Sequence, residues 1–338
     1  MSTLQQKISQ ILIEHNLKHF GWTRLNRPLS MDLYTDWIKS GYHEDMSYLS
    51  HHAEAKATHS ISPLAQSAIV LTVPYVPHPW PSTQKIHNRT AFYSQGKDYH
   101  NEIPRCLDPV LEALRMEFPA DRFELFTDSA PILERDLAYR AGLGWIGKNT
   151  CLIDRRQGSL FFLAEIFTTL AIENEHSWSP DFCGTCNKCV EACPTQALSG
   201  QRELFPSKCI AYWTIEAKTT PPVELLPRLG DWLFGCDICQ TVCPWNSKHL
   251  PLPQQKVLAT REDRVAELRW ILTSSRKALA KELNDSPLAR AAGWKLQRNA
   301  IVVATNSQFE ELIPEIKAWS NDPKLQTLVE WSLSHLDP

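Results

Sequence analysis

Leu4, Ile8, Ile11, Leu12, His15 and Phe20 recur at roughly helical spacing, which predicts an amphipathic helix over 4–20. The pattern then loosens until about residue 66. Ala68-Ile69-Val70-Leu71-Thr72-Val73 is an unbroken β-prone run stopped by Pro74, the mark of a buried strand. A loop rich in proline follows, with Pro77, Pro79 and Pro81. Leu107, Val110, Leu111 and Leu114 predict a second helix over 101–117, and Phe123-Glu124-Leu125-Phe126 a short strand ending at Thr127-Asp128. Ser129 and Pro131 are helix-start signals; Ile132, Leu133, Leu137, Ala138 and Ala141 form the buried stripe of the helix they open, and Gly142 and Gly144 end it. A strand pair over 151–154 and 159–168, with a turn at 155–158, completes an α+β domain expected over 1–175.

Residues 176–250 hold the clustered cysteines and few regular apolar repeats, so this second domain is expected to fold around metal. Residues 251–338 show helical patterns broken at Ser286-Pro287, Pro314 and Pro323, which predict three to five short helices in paired hairpins.

Formal net charge is −3, so no global field draws the chain to nucleic acid or membrane, and a polyanionic partner needs a local basic patch. No run approaches 18 uncharged apolar residues, and the first residues lack the basic start and apolar core of a signal peptide. A cytoplasmic protein without membrane contact is expected. In that compartment thiols stay reduced, so ten cysteines point to metal rather than disulfides.

Cys183-x2-Cys186-x2-Cys189-x3-Cys193-Pro194 reproduces the bacterial ferredoxin run, whose fourth cysteine serves the other cluster in two-cluster proteins. Cys236-x2-Cys239-x3-Cys243-Pro244 ends the same way but has Leu233 where the first cysteine belongs, and Cys209 is the replacement. The crossing predicts one [4Fe–4S] cluster on Cys183, Cys186, Cys189 and Cys243, and a second on Cys193, Cys209, Cys236 and Cys239. Cys-x2-Cys pairs also bind zinc, but zinc seldom uses three cysteines at x2 spacing followed by Cys-Pro. Cys106 and Cys151 fit no such spacing and read as buried free thiols. Clusters deliver electrons singly, so the first domain must host a redox cofactor or a substrate that tolerates one-electron steps.

Gly142-Leu143-Gly144-Trp145-Ile146-Gly147 matches G-x-G-x-x-G, but a helix precedes it and a strand follows, the reverse of a dinucleotide fingerprint. These glycines are expected to cap the helix and allow close backbone approach.

Several segments together resemble the epoxyqueuosine reductases: Tyr93-Ser94-Gln95-Gly96-Lys97-Asp98-Tyr99-His100, Thr127-Asp128-Ser129-Ala130-Pro131-Ile132-Leu133-Glu134-Arg135, Ala141 through Asn149, Cys209-Ile210-Ala211-Tyr212, and Gly235 through Asn246. The resemblance spans nearly the whole chain. It implies a nitroreductase-like domain that binds cobalamin, a ferredoxin-like double [4Fe–4S] module and a HEAT-like helical region. It also implies reduction of epoxyqueuosine to queuosine at the wobble position of tRNA, the last step of queuosine biosynthesis. Electrons would come from an external donor such as a flavodoxin or ferredoxin, through the clusters to cobalamin, in a protein expected to be a monomer. Asp128 aligns with the family's proton donor. An ordinary aspartate is ionised at neutral pH, so burial or a nearby reduced cofactor is expected to raise its pKa. Its alternative role is to satisfy backbone N–H groups at a helix start. Lys56, Tyr93, Arg135, Asn149, Cys151, Ile153, Ser159 and Asp237 are the candidate cofactor contacts. Lys56 stands in a stretch where the family usually carries arginine, and Arg135 is a candidate partner for a local carboxylate. No Asp-x-His-x-x-Gly pattern calls for a histidine below the cobalt.

A tRNA substrate requires phosphate contacts. Between Lys256 and Arg298 there are ten Lys/Arg against five Asp/Glu, and Arg261, Arg264, Arg269, Arg276, Lys277, Arg290, Lys295 and Arg298 are the candidates for a basic face. Two competing readings are a small-molecule reductase of the reductive dehalogenase type and a plain electron carrier. The first usually carries a twin-arginine export signal; the second would not need the large first domain.

Overall fold

The computed structural model describes residues 2–81, 86–173, 180–250 and 259–337. The expected domain boundaries at 175/176 and 250/251 fall at residues outside that set, as does Lys256.

A four-stranded antiparallel sheet in the order β1 (Phe20–Arg24), β2 (Ser67–Pro74), β7 (Phe161–Thr168), β4 (Phe123–Phe126) forms the centre of the first domain. Its alternating side chains feed two cores. Ile69, Leu71, Ala164 and Ile166 face the helices Thr3–Glu14 and Tyr99–Glu117, while Ala68, Val70, Phe161 and Phe167 face the helix Glu134–Arg140. This two-sided burial explains why β2 reads as an unbroken run rather than an alternation.

Three details differ from the sequence reading. The first helix ends at Glu14, and Phe20 opens β1, which pairs with β2 in the register Trp22↔Ile69. The helix expected from Ser129 begins at Glu134, leaving 127–133 as a loop at the end of β4. The segments at 151–154 and 159–168 do not form a strand pair. The strand β6 (Leu152–Ile153) pairs with β5 (Trp145–Ile146), while β7 lies between β2 and β4; only the Asp154–Gly158 bridge closes the turn. At Gly144 an added Cβ would lie 2.2 Å from the Ile153 carbonyl oxygen, so the glycine motif serves close backbone approach.

The cysteine-rich segment and the helical region share one hydrophobic core: Ile210, Trp213, Leu226, Leu233 and Phe234 pack with Leu268, Ile271, Leu296, Ile301 and Leu328. A short parallel pair, β3 (Arg89–Thr90) with β8 (Trp232–Phe234), ties this core to the first domain. Five α-helices are described here, from Arg261–Thr273 to Gln326–Leu336. Pro314 does not break a helix; it occupies the first turn of Ile313–Lys317, where its missing N–H costs nothing. Among the described residues no helix is long and apolar enough to cross a membrane.

Candidate active site and electron path

Asp128 stands where β4 gives way to the loop before the helix Glu134–Arg140, in the left-handed region at φ 51°, which aspartate tolerates better than most residues. Its amide donates to the Glu134 carboxylate at the helix start, and its Oδ2 accepts from the Tyr99 hydroxyl and faces His100 Nε2 at 3.1 Å. His100 Nδ1 lies 2.6 Å from Asp98 Oδ1. The ring of Tyr99 stacks on Phe162 at 4.3 Å, which fixes its hydroxyl. The Asp128 side chain keeps 55% of its surface accessible although protein surrounds it closely. It is therefore open to solvent while flanked by Tyr99, His100 and the loop before Glu134.

The electrostatics differ from the sequence expectation. Burial acts to raise the Asp128 carboxyl, but hydrogen bonds from His100 and Tyr99 outweigh it and hold the group below its ordinary value. Hydrogen bonds to Asp128 and Asp98 push His100 up to about 9. At neutral pH the proton of this pair resides on histidine.

Behind Asp128 lie two more carboxyls. Glu165, opposite Phe126 across the β7–β4 ladder, is fully buried, and its carboxyl faces that of Glu134, so among the described residues only a proton shared with Glu134 can supply it a hydrogen bond. Burial and the facing Glu134 carboxyl raise it well above the ordinary range, and burial raises Glu134 as well. An unpaired buried carboxylate would cost several kcal/mol, so a proton stays on the pair. Lys56 is buried beside them, its ammonium donating to the Ile132 carbonyl at 3.3 Å and lying within electrostatic reach of Glu134 and Asp128. It is a counter-ion beneath the site.

Tyr93 lies within reach of both Asp128 and Asp237. Asp237 accepts from the Phe92 amide at 2.5 Å, and burial raises its carboxyl to about 6. Cys151 is enclosed near Asp237, Cys189 and Cys243, and burial raises its thiol to about 11. Cys106, by contrast, is exposed, contrary to the expectation of a buried thiol. Asn149 donates to the Cys239 carbonyl at 3.3 Å and accepts from the Cys151 amide at 3.3 Å. Arg135 binds the Thr150 carbonyl rather than a carboxylate. Ser159 is held by Asn246 and Gln240, with its amide donating to Asn246 Oδ1 at 2.6 Å, and Ile153 is buried in the β5–β6 hairpin. Ser159 thereby braces the first domain on the cysteine module. Pairwise, Tyr93 is within electrostatic reach of Asp128 and Asp237, and Asn149 links Cys151 to Cys239.

The eight clustered cysteines come together as two groups of four. Cys189 lies within electrostatic reach of Cys183 and Cys243, and Cys243 of Cys183 and Cys186. Cys236 is within reach of Cys209 and Cys193, and Cys239 of Cys209 and Cys236. The short helices Lys188–Glu191 and Ile238–Thr241 pack together and carry the two exchanged strands of thiols. Among the described residues no three His, Cys, Asp or Glu converge on a single ion. Burial raises the Cys236 thiol to about 12 and Cys209 and Cys239 upward too, and buried thiols of this kind become thiolates by ligating a cation.

Much of the expected basic face is engaged within the protein. Arg261 pairs with Glu311, Arg264 with Asp231, Arg269 with Glu315, Arg276 with Asp322 and Arg290 with Glu216. Lys295 donates to the Ile215 and Glu216 carbonyls. Arg298 is fully buried and binds the carbonyls of Trp213, Ala217 and Thr219, so it cannot meet a phosphate. Arg290 lies within electrostatic reach of Asp128, which brings the helical region close to the site.

His100, Glu134 and Glu165 received no role from the sequence. A lone glutamate inside the apolar run Phe161–Thr168 is the signal for Glu165, and Asp98-x-His100 ahead of a helical stripe is that for His100.

Residues 56–129 match the family model described as epoxyqueuosine reductase QueG, DUF1730, and residues 182–246 that of the 4Fe-4S double cluster binding domain. The chain is 34% identical over 305 residues to the epoxyqueuosine reductase of Pseudomonas aeruginosa, covering 88% of this chain and 84% of that one. A solved epoxyqueuosine reductase with an epoxyqueuosine-modified tRNA-Tyr stem loop superposes at a TM-score of 0.77 and 25% identity, covering 99% of this chain and 90% of that one. The Bacillus subtilis enzyme, solved with an aspartate-bearing catalytic loop swung out of its active site, gives a TM-score of 0.77 at 25% identity over 99% of this chain and 91% of its own.

Proposed function

This chain belongs to the epoxyqueuosine reductase family, and on that premise we propose how it reduces epoxyqueuosine to queuosine in tRNA: the eight clustered cysteines would hold two [4Fe–4S] clusters that supply electrons, the residues beside Asp128 would hold a cobalamin, and Asp128 protonates the departing oxygen. The observation that carries this reading is Asp128 itself, exposed and hydrogen-bonded to Tyr99 and His100, with Tyr93 within electrostatic reach of both Asp128 and Asp237, which lies beside Cys236.

Cysteines 183, 186, 189 and 243 hold one cluster; cysteines 193, 209, 236 and 239 hold the other. The second group includes Cys236 and Cys239, which flank Asp237 in the chain, and Asp237 lies within electrostatic reach of Tyr93, so this is the group we place toward Asp128. An external carrier of the flavodoxin or ferredoxin class supplies the electrons, one at a time.

The polar groups left without partners here, among the described residues, fit a polar cofactor such as cobalamin. Tyr93 and Cys151 are surrounded by protein yet only half-buried, and among the described residues no hydrogen bond engages the Tyr93 hydroxyl. Tyr93, Cys151 and the Asn149–Cys151 backbone would hold its edge, with Asp237 behind. Bound there, cobalamin would supply a cobalt centre that accepts single electrons and reduces the epoxide. The protein's own part is positional and acid–base. Tyr99 and His100 occupy Asp128 Oδ2, which leaves Oδ1 to face the substrate oxygen. Lys56 beneath the loop offsets the negative charge of the carboxyl group.

Replacing Asp128 with Asn tests this reading. Iron content, bound corrin and tRNA affinity should match the unmodified protein, while conversion of epoxyqueuosine falls by about 10²–10⁴-fold, the range for losing a positioned acid. Undiminished conversion would remove Asp128 from the chemistry.

A further inference from the structure

Turning an epoxide into an alkene breaks two C–O bonds, forms one C=C bond and releases the oxygen as water. The balance is two electrons, delivered by the external carrier, and two protons. Asp128 can give one proton at a time, so each turnover requires it to be recharged or joined by a second donor.

Both ring nitrogens of His100 face carboxylate oxygens, Asp98 Oδ1 at 2.6 Å and Asp128 Oδ2 at 3.1 Å. A neutral imidazole has one N–H and cannot satisfy both. The His100–Asp128 contact therefore holds a proton that sits on either Nε2 or Oδ2. About 31% of the His100 side chain is accessible, which gives that proton a route from water. Asp98 caps the helix Tyr99–Glu117 by accepting from the His100 amide, so the carboxylate behind the ring is fixed by the same turn that carries the ring. The Tyr99 ring stacks on His100 at 4.1 Å and locks its plane.

We propose that Asp98 and His100 form a proton relay that recharges Asp128 from solvent, so that one carboxyl delivers both protons of a turnover. The proposal rests on Asp128 being the donor. His100 acts through Asp128 and is a positioning residue. In the first half, Asp128 takes the Nε2 proton of His100 at Oδ2, the carboxyl turns that oxygen to the substrate, and the proton passes to the epoxide oxygen as the first C–O bond opens. His100, left with its remaining proton on Nδ1 against Asp98, regains one at Nε2 from water and hands it to Oδ2. The carboxyl turns again to present it, and the second transfer releases the oxygen as water. The charged groups around the relay agree with this order. Asp98 and Asp128 are the carboxylates on the ring, and their hydrogen bonds keep it protonated at neutral pH. Arg290, reaching in from the helical region, and Lys56 favour an ionised Asp128 between transfers, while Glu134 opposes it. Asp285 adjoins the outer end, its carbonyl accepting from the Asp98 amide at 3.0 Å.

The test compares H100Q, D98N and D128N as cluster-loaded, corrin-bound protein with modified tRNA stem loop and excess reductant. We expect H100Q to keep iron content and tRNA affinity and to lose about 10–100-fold in kcat. Its rate should fall with rising pH across the neutral range, and tens of millimolar imidazole should restore part of it. In nitrogen-15 spectra taken without substrate, the His100 ring should titrate near 9 in the unmodified protein. In D98N, whose asparagine preserves the helix cap, it should move toward the ordinary value of about 6.5. An H100Q with unmodified rate and pH profile beside an inactive D128N would overturn the relay alone. So would a slow H100Q that imidazole leaves unchanged. Turnover in D128N would overturn the donor reading and the relay with it.

Discussion

The indole N–H of Trp145 donates to the sulfur of Cys183 at 3.4 Å. Trp145 belongs to the β5–β6 hairpin of the first domain, and Cys183 opens the ferredoxin run, so this bond joins the first domain to the cysteine group of Cys183, Cys186, Cys189 and Cys243. Hydrogen bonds to cluster sulfur favour the reduced, more negative state. Trp145→Phe should keep both clusters and lower the midpoint potential of one by on the order of 50 mV, taking one charge-assisted hydrogen bond as about 1–2 kcal/mol. Redox titration followed by electron paramagnetic resonance checks this; an unchanged pair of potentials would detach Trp145 from the electron path.

The crossed ligation makes an asymmetric prediction. Cys193 belongs to the first run in sequence but lies with Cys209 and Cys236 in space. Cys193→Ala should lower iron from about eight to about four per chain and leave the cluster of Cys183, Cys186 and Cys189 intact. Cys243→Ala should do the reverse. Iron assay and spectroscopy of the two variants distinguish the crossed pattern from a sequential one.

Stability should depend on pH through the same relay. His100 is raised to about 9, above its ordinary value, so its contribution is complete below about 6.5 and is lost as pH rises through about 9. Asp98 and Asp128 are lowered, because hydrogen bonds from His100 outweigh burial; their contribution is present above the ordinary carboxylate range and lost on acidification. The melting temperature of the unmodified protein should therefore fall between pH 7 and 10, and that of H100Q should fall less. Equal slopes would contradict the pairing.

Arg298 and Lys277 separate structure from tRNA binding. Arg298 is buried among three carbonyls, and Arg298→Met should destabilise the helical region by about 3 kcal/mol or more. Among the described residues Lys277 has no partner, and Lys277→Ala should weaken tRNA binding modestly and reduce its salt slope by about 1, with melting unchanged. Binding measured against salt concentration, beside thermal melts, checks both.

The sequence was most legible where local chemistry is strict. Cysteine spacing carried the crossed groups, the run at Ala68–Val73 carried β2, and the stripe from Leu107 to Leu114 carried the helix beneath the site. It was least legible where neighbours decide. Phe20-Gly21-Trp22 gives no alternation, and β1 exists because β2 offers it an edge with Trp22 against Ile69. Charge along Arg261–Arg298 read as a surface because the acids that pair with it, Asp231, Glu311, Glu315 and Asp322, lie outside that stretch. The ionisation of Asp128 could not be read locally, since it is set by a histidine and a tyrosine 28 and 29 residues away.

The most direct test is the nucleoside content of tRNA before and after reaction. Epoxyqueuosine-bearing tRNA, incubated without oxygen with cluster-loaded protein, cobalamin and a low-potential reductant, is digested and its nucleosides separated by mass. Queuosine should appear as epoxyqueuosine disappears, in equal amounts, and D128N should leave the epoxide in place. Persistence of epoxyqueuosine with protein that carries its full iron and corrin would contradict the account.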